Sequence, residues 1–358
     1  MTWQGIIGHD VVVERFRRSL ARGRLASTFL FVGPPGIGKR TFALKLAQSL
    51  LCKASPSELL DPCGRCADCV QVLAGAHPDL DVISKPADKT TIPVSAFIGE
   101  EGRRMREGLC HRIALKPFRG GKRIALIDDA DALNEEGANA LLKTLEEPPP
   151  QSLLILIGTS ADKQLPTIRS RCQLVRFRPL DTKTIAELLL KEQLAGDAET
   201  AAQAAAFSEG SLERAQELAD PELWTFRDSL LSQLAKSPFP SVELGRSVNA
   251  FVDEAGKEAG PRRSRARQVI GFAIEFYRQV LRRSSGMEAV GDAALVRGVE
   301  RAVAGCNPDA DAAAACLDRC LAALVHIDRN ANQATLIECW ADDLGRIVET
   351  GQPVAIEG

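Results

Sequence analysis

Strand-like runs of apolar residues alternate with helical patterns up to about residue 180, after which the pattern is almost wholly helical. The runs are Thr28–Val32, Leu80–Ile83, Arg123–Ile127 and Leu153–Ile157, with a shorter one near Gln173–Phe177. They read as strands of a parallel sheet buried on both faces. Between them, Asn134 to Glu147 carries Ala138, Leu141, Leu142 and Leu145 at helical spacing, opened by a capping Asn134 and stopped by Pro148-Pro149-Pro150. The segment after Pro179 reads as short Ala- and Leu-rich helices, and Pro238-Phe239-Pro240 reads as a linker. The expected organisation is an α/β core over 1–180 with flanking helices, an all-α unit over 181–237 and a second all-α unit over 238–358. No repeat of fixed period stands out.

At 358 residues the chain exceeds the ~100–200 of one ordinary domain, in keeping with that division. With 45% apolar and 26% charged residues the composition is that of a globular protein. The first residues, MTWQGIIGHD, do not resemble a signal peptide, and no run approaches the ~20 apolar residues that span a bilayer, so a cytoplasmic protein with no membrane partner is expected. A net charge of −2 argues against nucleic-acid binding over the whole surface. A basic stretch, Arg262, Arg263, Arg265, Arg267, Arg278, Arg282 and Arg283 around Phe276 and Tyr277, reads either as a solvated helix face or as a contact for DNA backbone or a neighbouring chain.

Candidate chemistry begins after the first strand. Residues 33–40, Gly-Pro-Pro-Gly-Ile-Gly-Lys-Arg, lie between Thr28–Val32 and the helical pattern Thr41–Leu51, the context of a Walker A phosphate loop. Gly33, Gly36 and Gly38 let backbone N–H groups turn toward phosphate oxygens, and Lys39 supplies charge to the β and γ phosphates of ATP or ADP. Arg40 stands where a Ser or Thr hydroxyl would ligate magnesium, and Thr41 comes one residue late. A helix turns about 100° per residue, so Thr41 is not expected to replace that hydroxyl. Asp128 and Asp129 end an apolar strand as a Walker B motif does, Asp128 for magnesium and Asp129 in place of the usual, longer Glu that polarises water. Thr159 closes the strand Leu153–Ile157 as a sensor of the γ-phosphate. The expectation is nucleotide binding with impaired hydrolysis.

Cys52, Cys63, Cys66 and Cys69 form a C-x10-C-x2-C-x2-C pattern suited to tetrahedral zinc. Four thiolates leave no open position, so such a site is structural, contributing about 10–16 kcal/mol of apparent binding energy to local folding. A redox pair of Cys63 and Cys66, or free buried thiols, are the competing readings, and His77 is the weaker ligand candidate. Cys110, Cys306, Cys316, Cys320 and Cys339 read as small core residues.

Together with the phosphate loop and the cysteine insertion, the run Ala138-Asn139-Ala140-Leu141-Leu142-Lys143-Thr144-Leu145-Glu146-Glu147-Pro148-Pro149 and the triplet Ser170-Arg171-Cys172 resemble the AAA+ clamp-loader subunits of bacterial DNA polymerase III, over residues 5–180. The resemblance implies an AAA+ core, a helical lid and a collar that joins five subunits in a ring. It implies gamma/tau and delta subunits as partners, with the sliding clamp and primer–template DNA engaged through the complex, in a nucleoid-associated replisome. It makes Arg171 a finger reaching the ATP site of the adjacent subunit, and it gives the chain no polymerase chemistry of its own. Asn330-Ala331-Asn332 followed by Leu336, Ile337, Trp340 and Leu344 is similar to a collar helix pair, and fits ordinary bundle core equally well.

Motor subunits of the family keep Lys-Thr, Asp-Glu and Gly-Ser-Leu-Arg where this chain has Lys39-Arg40, Asp128-Asp129 and Gly210-Ser211-Leu212-Glu213, with Arg214 one place late. That drift, beside an intact Arg171, resembles the delta-prime branch, a stator with weak or absent ATPase. The alternative is a gamma/tau-type motor. An independent DNA-dependent AAA+ ATPase accounts for neither the cysteine insertion nor the Ser-Arg-Cys triplet.

Overall fold

The computed structural model describes residues 3–86, 89–104, 106–306, 309–329 and 331–352, with the side chain of Cys306 excepted. Asn330 and the Cys306 side chain, both invoked above, therefore lie outside the described residues. The chain divides into two compact units, Met1–Ala219 and Asp220–Gly358.

The first unit is built on five parallel strands, β1 (Thr28–Val32), β2 (Leu80–Ile83), β3 (Arg123–Ile127), β4 (Ser152–Gly158) and β5 (Gln173–Arg176), in the order β2-β3-β4-β1-β5. Every residue of β1, β3 and β4 is buried, whereas the edge strands β2 and β5 are partly exposed. The unbroken apolar runs thus mark the strands covered on both faces, as a parallel sheet requires.

Among the described residues, ten α-helices accompany the sheet: α1 (Asp10–Ala21), α2 (Lys39–Leu51), α3 (Ala67–Leu73), α4 (Ser95–Ile98), α5 (Leu109–Ala114), α6 (Glu135–Glu146), α7 (Pro166–Arg169), α8 (Thr182–Lys191), α9 (Ala198–Phe207) and α10 (Leu212–Glu217). Because successive strand residues face opposite ways, β1 feeds two cores. Phe29 and Phe31 join Phe16 of α1, Phe42 of α2 and Phe177 on one side, while Leu30 and Val32 join Phe97 of α4, Ile113 of α5 and Leu141 of α6 on the other. Helix α6 starts where its sequence says, with Asn134 Oδ1 accepting the Gly137 N–H at 2.8 Å, a cap worth about 1 kcal/mol.

Among the described residues, six helices form the second unit: α11 (Pro221–Leu234), α12 (Ser241–Asp253), α13 (Ala259–Ser284), α14 (Ala293–Cys306), α15 (Ala310–Asp328) and α16 (Gln333–Thr350). Helix α13 packs against α11, α12, α14 and α15, and α16 lies on α12 and α15. Leu336, Ile337, Trp340 and Leu344 are buried there, the Trp340 indole donating to Cys320 Sγ. Cys316 and Cys320 are buried, whereas Cys339 is exposed. Pro238-Phe239-Pro240 lies inside this unit with Phe239 buried, and the residues read as a lid are shared, α8 to α10 falling in the first unit and α11 in the second. Much of the basic stretch is paired locally: Arg262 with Asp253, Arg265 with Asp220, Arg267 with Asp328, Arg278 with Glu275 and Arg283 with Glu300. Among the described residues, no helix is long and apolar enough to cross a membrane.

Phe42 touches Trp3, Phe16, Phe31 and Phe177 with ring centroids 4.8–5.9 Å apart, and it lies one turn into the helix that follows the phosphate loop. Phe42→Ala should destabilise the first unit by about 3–5 kcal/mol, the usual cost of emptying an aromatic site in a packed core. Urea unfolding followed by circular dichroism measures it.

Candidate functional site

Strand β1 delivers the phosphate loop. Val32 pairs with Gly158 of β4 and Arg176 of β5, and the next N–H, that of Gly33, donates to Thr159 O at 3.1 Å. Gly36 and Gly38 follow with φ of 69° and 92°, a region costly for any residue with a Cβ. At Gly36 a Cβ would stand 2.2 Å from Ser211 Oγ, because the N-terminus of α10 packs there and its Leu212 and Glu213 N–H groups donate to Gly36 O at 3.1 and 3.4 Å. Lys39, 7% exposed, folds back so that Nζ donates to Gly33 O and Pro34 O at 2.6 and 2.5 Å. Burial lowers its pKa, opposed by the nearby charges of Asp131, Asp128 and Glu213.

The loop opens on a cavity of about 740 Å³, within the ~300–1,000 Å³ of small-molecule sites. Gly36, Gly38, Lys39, Arg40, Thr41, Asp128, Asp129 and Thr159 all line it, so residues singled out from Gly36 to Thr159 in the sequence meet in one place; Gly33 lies at the base of the loop, outside the lining. Three cationic side chains, Lys39, Arg40 and Lys85, face four anionic ones, Asp128, Asp129, Asp131 and Glu213. Attraction for phosphate therefore has to come from local placement rather than from net charge.

Arg40 Nε lies 2.9 Å from Asp128 Oδ2 in an ion pair. Burial pushes the Asp128 pKa up, aided by Asp129, and the Asp129 N–H, Arg40 and Lys39 oppose the shift. A magnesium ion needs near-octahedral oxygen ligands at about 2.0–2.1 Å. Here the acid is held by a guanidinium and the hydroxyl expected at position 40 is absent, so the residues present do not fit the ion that such a motif usually holds.

Thr159 reaches the cavity, with its N–H donating to Asp131 Oδ2 at 2.9 Å and its hydroxyl also donating to that oxygen, while Gln164 Nε2 donates to Asp131 Oδ1 at 2.6 Å. Sequence reasoning singled out Thr159 but not Asp131 or Gln164. It also passed over His9, whose Nε2 sits 2.7 Å from Ile37 O, and Lys85 on the cavity wall. Nothing in the local pattern marks these residues, since each acts across long sequence separations.

At the far end of α2, Cys52 caps the helix, Cys63 and Cys66 lie in the following loop, and Cys69 sits in the first turn of α3. The four Sγ atoms all fall within 4.8 Å of one another, with 4.0 Å between Cys52 and Cys66 and 3.9 Å between Cys63 and Cys69. Tetrahedral ligands at about 2.3 Å would stand about 3.8 Å apart, so the cluster is able to coordinate a metal ion. N–H groups of Arg65 and Cys66 bring the Cys63 thiol down to about 6, whereas burial pushes Cys69 up. His77 stays outside the cluster, with Nδ1 accepting the Asp79 N–H at 3.0 Å and Nε2 3.3 Å from Asp68.

Arg171 lies between α7 and β5, its carbonyl accepting from Thr28 Oγ1 at 2.7 Å. Its guanidinium is held on its own chain: Nε donates to Glu146 Oε1 at 2.8 Å, Nη2 to the same oxygen, and Nη1 to Thr167 O at 3.0 Å. Glu146 belongs to the Leu-Glu-Glu-Pro-Pro end of α6, so two stretches that carry the family resemblance meet in one ion pair.

Residues 8–181 match the family described as DNA polymerase III, delta subunit. The gamma/tau subunit of DNA polymerase III from Mycobacterium tuberculosis is 34% identical over 186 residues, 52% of this chain and 30% of that protein. The chain belongs to the bacterial DNA polymerase III clamp-loader AAA+ family. Within that family it is also similar to the delta-prime subunit of Bacillus subtilis, 32% identical over 51% of each chain, and to the tau subunit of Escherichia coli, 32% identical over 72% of this chain and 39% of that one. The clamp-loader chain spans about half or less of the length of these relatives.

Proposed function

We propose that the chain is a delta-prime-like clamp-loader subunit that works with gamma/tau and delta neighbours in a ring, helping place a sliding clamp on primer–template DNA. Its own pocket turns over ATP weakly, and Arg171 serves the ATP site of the adjacent subunit. The observation that carries this reading is the Arg40–Asp128 ion pair, which engages the acid on which hydrolysis in such sites depends. Glu213 in the cavity, where motor subunits have an arginine, points the same way. Arg171 suits service in trans because its tether is light: the side chains of Arg171 and Glu146 are 30% and 48% exposed, and such pairs hold by only about 0–1 kcal/mol. A neighbour's phosphate can outcompete that carboxylate.

A gamma/tau-type motor is the second reading, favoured by the 34% identity to the Mycobacterium tuberculosis gamma/tau subunit. Steady-state ATP turnover separates the two. Under the delta-prime reading the purified chain is nearly inactive alone, and rings reconstituted with Arg171→Ala form normally but lose part of their DNA- and clamp-stimulated ATPase. The loss is partial because an arginine finger, worth about 10³–10⁵ at one site, is removed from only one of several. Robust turnover by the chain alone, abolished by Lys39→Ala, would instead establish the motor.

The cysteine cluster is assigned to structural zinc on its four-sulfur donor set and sulfur spacing. Metal analysis of purified protein should return one zinc per chain, with Cys66→Ser reducing it and lowering thermal stability. Equal zinc in that variant and its three counterparts would reject the assignment.

A further inference from the structure

Phosphate-loop sites ordinarily place a divalent cation between the hydroxyl that follows the loop lysine and the acid at the end of the neighbouring strand, where it bridges the β- and γ-phosphates. In this chain that gap holds a side chain. Arg40 occupies the hydroxyl's position in sequence, and its Nε lies 2.9 Å from Asp128 Oδ2. A guanidinium is a permanent cation with five N–H donors in a planar fork, matched to phosphate oxygens. Asp128 is the one ion-pair partner of Arg40 among the described residues, which leaves Nη1 and Nη2 available, and the side chain is 58% exposed on the wall of the cavity that also contains Lys39.

We propose that Arg40 takes the place of the divalent ion, and that this pocket binds a nucleoside di- or triphosphate in its metal-free form. The arginine is then a built-in counter-charge: Asp128 orients it as it would a bound ion, and the terminal N–H groups reach the phosphates that a hydrated cation would otherwise bridge. Lys39 and the N-terminal N–H groups of the 13-residue helix α2 supply the remaining contacts. Glycine-loop recognition is retained and the requirement for metal is lost. The inference rests on reading the pocket as a nucleotide site, and it holds for either subunit assignment.

Binding of ADP and ATP to the full-length purified chain, measured by calorimetry in EDTA and in excess magnesium, tests it. The wild-type chain should bind with affinities within about twofold of each other in the two conditions. Arg40→Thr, which restores the usual hydroxyl, should bind about tenfold or more weakly in EDTA and recover with magnesium, as expected for loss of a charge-assisted phosphate contact. Arg40→Lys keeps the charge and should keep metal-free binding, which guards against misfolding of the threonine variant. Wild-type binding that needs magnesium, or Arg40→Thr binding like wild type in EDTA, overturns the proposal while the nucleotide pocket stands. No binding by the wild type in either condition overturns both.

Discussion

Strand β1 lies between β4 and β5, buried at each of its five residues, and its register with both neighbours sets where the chain leaves the sheet. The aromatic side chains of Phe29 and Phe31 pack on Phe16, Phe42 and Phe177, so the strand before the phosphate loop and the helix after it are clamped by one cluster. The loop is thereby stretched between two fixed ends, and its glycines absorb the turn. Helix α2 then carries this rigidity onward. Its 13 residues, about 20 Å at 1.5 Å per residue, connect the loop lysine at one end to Cys52 of the cysteine cluster at the other. The insertion is further pinned by Gln48 of the same helix, whose side chain donates to Cys69 O at 3.1 Å, and by Trp3, whose indole donates to Leu60 O.

Against this frame, the charged residues divide their work. Inside the cavity, several charged groups engage one another or nearby polar atoms: Lys39 the loop carbonyls, Arg40 Asp128, Asp131 Thr159 and Gln164. Arg171, by contrast, is held by a half-exposed carboxylate at the surface. The Lys39 ammonium, 7% exposed, depends on its carbonyl partners, whereas Arg40, 58% exposed, and Arg171, 30% exposed, can exchange a carboxylate partner at little cost. The lysine of the pocket is therefore held firmly by the loop, while the two arginines, Arg40 in the pocket and Arg171 between α7 and β5, keep partners they can give up.

Much of the fold was legible because burial on both faces of a parallel sheet leaves unbroken apolar runs, and the strand positions read from them agree with the structure to within a residue or so at each end. Asn134 and the proline run bounded α6 correctly, and the cysteine spacing brought four sulfurs together. What could not be read depends on side chains that meet only after the sheet has formed. Arg40 finds Asp128 because β4 brings β1 and β3 into register from either side. Arg171 finds Glu146, and Asp131 finds Thr159, for the same kind of reason. The sequence left the basic stretch of α13 open between a solvated face and a contact surface because its acidic partners, such as Asp220, Glu300 and Asp328, lie on other helices or their caps. Helical periodicity likewise shows that residues past 180 form helices, but not which helices pack together.

The hold of α10 on the phosphate loop passes through a single peptide plane. The carbonyl of Gly36 accepts from Leu212 and Glu213, and the N–H on the opposite edge of that plane belongs to Ile37. A trans peptide is rigid, so its two edges turn together. Whatever pulls on the Ile37 N–H also tilts the acceptor on which α10 rests, and Ser211, seated where a Gly36 side chain would be, leaves little slack for the tilt to dissipate. The orientation of this one peptide plane therefore fixes both the direction of the Ile37 N–H and the seat of α10.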